Sequence, residues 1–142
     1  MPKVEFALLA DYARSDAGVV HIMGAGIDTI TAPVVPTAQP VNLVVQLSFG
    51  YDEQPGTEHQ LQVIFNGEDA QLASVRARFF VPPQPPGIPV HWRTKVILVL
   101  GLNLPIPRYG DYSLDVVIDD EPPISLDLRA IQPTEAQGSA PA

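Results

Sequence analysis

Half of the eight basic side chains in this 142-residue sequence, Arg76, Arg78, Arg93 and Lys95, fall within a stretch of twenty positions. Each pair is spaced by two, the repeat that places both side chains on one face of a strand. If the two strands pair across the intervening prolines, 76 opposes 95 and 78 opposes 93, and four positive charges share one face. Like charges directly opposite are destabilising unless carboxylates interleave. Either the two strands therefore belong to different sheets, or the patch meets an anionic partner. The structural alternative is balance by Asp115, Asp127 or the turn carboxylates. These four cations are the candidate partner-binding residues.

The densest acidic group is Asp119-Asp120-Glu121, with Asp52-Glu53 and Glu68-Asp69 in other turns. Loops from one end of a β-domain can pool carboxylates around calcium, which takes about six to eight oxygens. Asp119, Asp120 and Glu121 are thus weak metal candidates. No spaced Asp-x-Asp-x-Gly loop accompanies them, and acidic residues suit solvated turns on their own account. His21, His59 and His91 lack any ligand spacing; His21, beside apolar neighbours, reads as a partly buried structural histidine. Gly24-Ala25-Gly26 begins like a dinucleotide fingerprint, but the third glycine is missing and prolines follow where the helix must start. The two glycines read instead as a bulge or a close backbone approach. There is no Cys, no Gly-x-Ser-x-Gly, and no lysine besides Lys3 and Lys95. No catalytic residue and no cofactor are expected from this inventory.

The elements that must position these residues alternate with period two. Eight strands are expected: 3–13, 19–31, 41–51, 58–65, 71–81, 89–100, 111–118 and 123–131. Between them lie turn-formers, including Asn66-Gly67, a hairpin signal. Residues 32–40 read as a crossover loop and 103–107 as a corner. Pro82 to Pro89 is a stiff polyproline-like connector from one sheet to another, the alternative being a ligand for an aromatic groove. In the first strand, Val4, Phe6, Leu8, Ala10 and Tyr12 share one side while Ala7 and Leu9 make the other partly apolar, so this strand is expected to be central and covered on both faces. Tyr112, after Gly110, sits where sandwiches often tie a corner to the backbone through a tyrosine hydroxyl. The expected fold is all-β, a single-domain antiparallel β-sandwich of immunoglobulin-like architecture over 1–131, with a frayed tail at 132–142. A closed barrel is the second choice.

Composition narrows the functions. The formal net charge is −8 and hydrophobic residues make up 46%. That charge argues against generic nucleic-acid binding, and that hydrophobic share against disorder. No apolar run approaches the length of a membrane-spanning helix. Glu5 stands where an apolar signal core would build, so a cytoplasmic location is expected, consistent with the absence of cysteine.

The segment Val4-Glu5-Phe6-Ala7-Leu8-Leu9-Ala10-Asp11-Tyr12-Ala13, the run from Gly18 to Thr31, and the closing Tyr109-Gly110-Asp111-Tyr112 with Val116 to Glu121 carry a resemblance. Together they resemble a family of small, mostly actinobacterial proteins classed as a domain of unknown function. The resemblance spans about Val4 to Ile131. It implies a β-sandwich and supplies no activity, ligand or catalytic residue. The expected function is a non-catalytic binding or assembly module presenting loops or an edge strand to a protein partner, with a homodimer among the options. A calcium-dependent membrane or ligand module using the acidic turns is one alternative; an enzyme on a β scaffold is another.

Overall fold

The computed structural model describes residues 2–17 and 19–133. Alternating apolar side chains produce nine strands: β1 (Lys3–Asp16), β2 (Val19–Ala25), β3 (Thr29–Thr31), β4 (Thr37–Phe49), β5 (Glu58–Asn66), β6 (Gln71–Phe80), β7 (Thr94–Ile106), β8 (Gly110–Ile118) and β9 (Ile124–Ile131). Sheet A has the order β2-β1-β4-β7, and sheet B the order β3-β9-β8-β5-β6. Both sheets keep open ends, so the fold is a sandwich and not a closed barrel. All pairings are antiparallel except β3 with β9, which run parallel.

The core lies between the sheets. Val41, Leu43, Val45, Leu47 and Phe49 of β4 face Leu61, Val63 and Phe65 of β5 and Leu114, Val116 and Ile118 of β8. Phe49, Leu43 and Leu61 are fully buried, each contributing about 2–3 kcal/mol of transfer free energy. Phe65 stacks on Tyr112 with ring centroids 5.2 Å apart. The Tyr112 hydroxyl donates to the Arg108 carbonyl, which is the tyrosine-tied corner expected from the sequence. The segment 82–93 does carry the chain from sheet B to sheet A, held by Gln84 Nε2 donating to the Gly50 carbonyl at 3.1 Å.

Several boundaries differ from the sequence reading. The expected strand 19–31 is two strands in different sheets. Gly24 and Gly26 adopt φ of +67° and +82°, and a Cβ at Gly24 would lie 2.6 Å from Asp11 Oδ2. The chain crosses between sheets there, with the N–H of Gly26 donating to the Leu9 carbonyl at 2.8 Å. Pro40 and Pro105 lie inside strands, so β4 starts at Thr37 and β7 runs through the supposed corner to Ile106. Pro40 opposes Asn103 and Pro105 opposes Ala38. A proline is tolerated in a ladder where its missing N–H is not required. The segment 89–93 lies outside β7, and Trp92 is 58% exposed. His21 is exposed on β2 and not partly buried. The expected frayed tail falls mostly on 134–142, outside the described residues; Gln132 and Pro133 lie just past β9.

Candidate interaction surface

The four candidate cations are not brought together. Arg76 opposes Gln62 and Arg78 opposes Gln60 on β5, whereas Lys95 opposes Ser48 on β4. The pairing of 76 with 95 and 78 with 93 therefore does not form, because β6 and β7 end different sheets. Arg78 meets Glu58 at 3.3 Å in an exposed pair, an arrangement worth little in stability. Arg93 folds back onto sheet A: its Nε donates to Ser48 Oγ at 2.7 Å and its Nη2 to the Ser48 carbonyl at 3.0 Å. The fully buried Ser48 hydroxyl donates in turn to Glu5 Oε1 at 2.6 Å. That hydrogen bond, aided by Lys3, Lys95 and Arg93, holds the Glu5 carboxyl below its ordinary value.

The acidic turn is dispersed in a similar way. Asp119, at φ +50°, accepts from the Gln60 N–H at 2.9 Å and bonds the His59 ring at 2.8 Å. Burial pushes its carboxyl up, but these hydrogen bonds and the His59 charge outweigh that and leave it lowered. Asp120 and Glu121 are exposed. Among the described residues, no group of three or more His, Asp or Glu side chains is placed to hold a metal ion.

Sequence reading missed the constellation around His59, whose partners sit in separate loops. The ring stacks on Phe79 with centroids 5.5 Å apart, and Nε2 faces Glu53 Oε1 at 3.8 Å. An Asp–His pair is two-thirds of a nucleophile-activating triad. Here the nitrogen that would take a nucleophile's proton faces a carboxylate instead. The cluster fastens the β4–β5 loop and the β8–β9 turn to the start of β5.

The outward face of sheet A carries a different signal. A bulge between Val4 and Phe6 turns Ala7 and Leu9 toward the core and Phe6, Leu8 and Ala10 outward. On β4 the outward residue Val44 stands opposite Leu8 on one side and Val99 on the other, and is fully buried by its surroundings. Ile97 and Val99 continue the apolar stripe to β7. On the far side, Tyr12 opposes Met23, which is 67% exposed. None of these outward residues belongs to the core cluster.

The stripe ends at the β7 edge, and the four sheet edges differ in how they are protected. Strands at an edge are usually kept from pairing with other chains by shortness, charge, proline or a break in the backbone. β3 has three residues. β2 breaks at Gly24. β6 carries Arg76 and Arg78. β7 is thirteen residues long, carries no charge after Lys95, and meets a proline only at 105.

The prolines also show which β7 groups are free. Opposed residues in an antiparallel ladder alternate between pairs that exchange both hydrogen bonds and pairs that exchange none. Pro40 and Pro105 lack an N–H, so the pairs 40–103 and 38–105 are of the second kind. The Leu9 carbonyl gives an independent check. It accepts from Gly26 and Ile27, on the side away from β4, so Leu9 and Leu43 exchange no bonds and Leu43 bonds Leu100. Both observations turn the N–H and C=O of Lys95, Ile97, Val99, Gly101 and Asn103 outward. As β7 ends its sheet, these groups have no ladder partner among the described residues.

No curated protein matches the chain significantly. Among the described residues, no helix is long and apolar enough to cross a membrane. A family model matches residues 5–131, from within β1 to the last residue of β9, and so takes in all of the sandwich but the first two residues of β1. On that match the chain belongs to a family of unknown function, DUF6941.

Proposed function

We propose that this domain is a non-catalytic binding or assembly module that presents the β7 edge, and the apolar outer face of sheet A beside it, to a protein partner. The observation that carries this reading is the unguarded edge: five residues with outward backbone groups, flanked by side chains without charge from Val96 to Pro107. Main-chain hydrogen bonds to such an edge give affinity, and the alternating side chains give specificity. Trp92, exposed just before β7, adds an aromatic anchor of the kind interfaces favour. A cytoplasmic setting is part of the proposal and accords with the cysteine-free chain. The calcium and enzyme readings gain no comparable support, since Asp119 is engaged by His59 and Gln60, and His59 Nε2 faces Glu53.

Affinity capture from the native host tests the reading. Ile97→Lys puts a charge in the middle of the edge and is expected to abolish capture while the melting curve is retained. Arg76→Gln with Arg78→Gln should leave capture intact. The opposite pattern would move the binding surface to β6 and overturn the proposal.

A further inference from the structure

The free edge is also self-complementary. We infer that its occupant is a second copy of this chain, joined by antiparallel β7–β7 pairing with Val99 on the two-fold axis. The inference rests on the edge-strand reading above and names the partner.

A two-fold axis at Val99 pairs Val99 with its own counterpart, Ile97 with Gly101, and Lys95 with Asn103. All five residues whose backbone groups turn outward then find hydrogen-bonded partners. Pro105, which has no N–H to give, falls just outside the ladder. An axis shifted along the strand leaves outward groups unpaired at one end or runs into the proline.

Side chains agree with this register on both faces. On the outer face the bulky Ile97 meets Gly101, and the single charge of the strand, Lys95, meets an amide and not a like charge. On the core side Leu98 opposes Leu100 and Val96 opposes Leu102. Val96, Leu98 and Leu100 are only partly buried in one copy, unlike Leu102 and Leu104 further along the strand. The pairing covers the apolar side chains that a single sandwich leaves open at this edge. It joins two four-stranded A sheets into one, with the Phe6–Leu8–Val44–Val99 stripe continuing across the axis. The interface is isologous and closed, as two-fold symmetry requires, so association stops at two.

Because the chain has no cysteine, a single introduced one reports position cleanly. Val99→Cys places two thiols opposite one another, about 5.5 Å apart at Cα, within disulfide range. Gly101→Cys is tolerated sterically, its Cβ having no neighbour closer than 3.9 Å. Its symmetry mate lies four residues further along, about 14 Å away. Under mild oxidation Val99→Cys should therefore give a covalent dimer, and Gly101→Cys should not. In light scattering from micromolar to millimolar protein, the native chain should show a dimer. Asn103→Lys sets Lys95 against a like charge twice per dimer and should raise the dissociation constant by about fivefold to tenfold. Adding Lys95→Glu should restore it.

A chain that stays monomeric throughout, with no Val99→Cys cross-link, overturns the self-pairing. If that monomer still captures a host protein through an Ile97-dependent contact, the edge-strand reading survives and only the second copy is excluded. A dimer that cross-links through Gly101→Cys, or ignores Asn103→Lys, overturns the register.

Discussion

The outer faces of the two sheets were built under different rules. On sheet B, outward positions are mostly polar (Gln60, Gln62, Asn66, Arg76, Arg78, Asp115 and Asp127), with Ile64, Val117 and the exposed Phe80 among them, and several are joined by short polar contacts. Gln62 donates to Ser74 at 3.2 Å, Asn66 to Asp115 at 3.1 Å, and Ser125 to Asp115 at 2.6 Å. This is the alternation of a sheet with one face in water. On sheet A the corresponding positions hold Phe6, Leu8, Ala10, Val44, Ile97 and Val99, with Gln46 and Asn42 on either side of Val44 and a polar cluster around Ser48. The edges repeat the contrast, since β6 is guarded by arginines and β7 by nothing between Lys95 and Pro105. A sheet that is apolar on both faces is suited to being covered. On the proposed reading, the difference leaves one side of the molecule to solvent and gives the other to association.

The sharpest way to break that comparison is a matched pair of charges. Val44→Asp introduces a carboxylate at a fully buried outward position of sheet A and should cost more than about 3 kcal/mol in denaturant unfolding. Gln62→Asp, on the outer face of sheet B, should cost about 1 kcal/mol or less. Equal costs would mean the two faces are alike.

A smaller effect is expected from the polar clamp of sheet A. Ser48→Ala removes the hydroxyl that links Arg93 to Glu5 and should cost about 1–3 kcal/mol by thermal or urea melting. Ser125→Ala, which deletes an exposed hydroxyl on sheet B, should stay within about 0.5 kcal/mol.

The smallest expected effect concerns pH. The Asp119 carboxyl is held below 3.8, its ordinary value. The unfolded chain therefore takes up this proton more readily than the folded one. The contribution is fully present above 3.8 and is lost as pH falls through the lowered folded value. Asp119→Asn should flatten the decline of the melting temperature in that acid window and leave the curve near neutrality parallel to the parent. An unchanged acid limb would show that the contact with His59 and Gln60 does not carry it.

Strand alternation made most of this legible. Leu43 to Phe49, Leu61 to Phe65 and Leu114 to Ile118 face the core as their spacing implies, and Tyr112 ties its corner. What misled were residues that act differently by context. Pro40 and Pro105 look like strand breakers, yet each sits where the ladder asks for no donor. Gly24 and Gly26 signalled a local irregularity but not that the chain would change sheets there. The basic residues drew attention to a patch that the topology pulls apart, because single-strand spacing says nothing about which strands are neighbours. The proposed association surface was half visible, in β1 being apolar on both of its faces. Its continuation through Val44 to Val99 depends on β1, β4 and β7 lying side by side, a long-range order that local pattern does not encode.

Amide exchange on the native chain, recorded dilute and concentrated, tests the asymmetry most directly. The account predicts that the N–H groups of Ile97, Val99 and Gly101 exchange freely in dilute solution and become protected as concentration rises, while those of β6 are unaffected. Protection that appears on β6 would contradict the asymmetry, and a β7 edge equally open at every concentration would contradict its self-pairing.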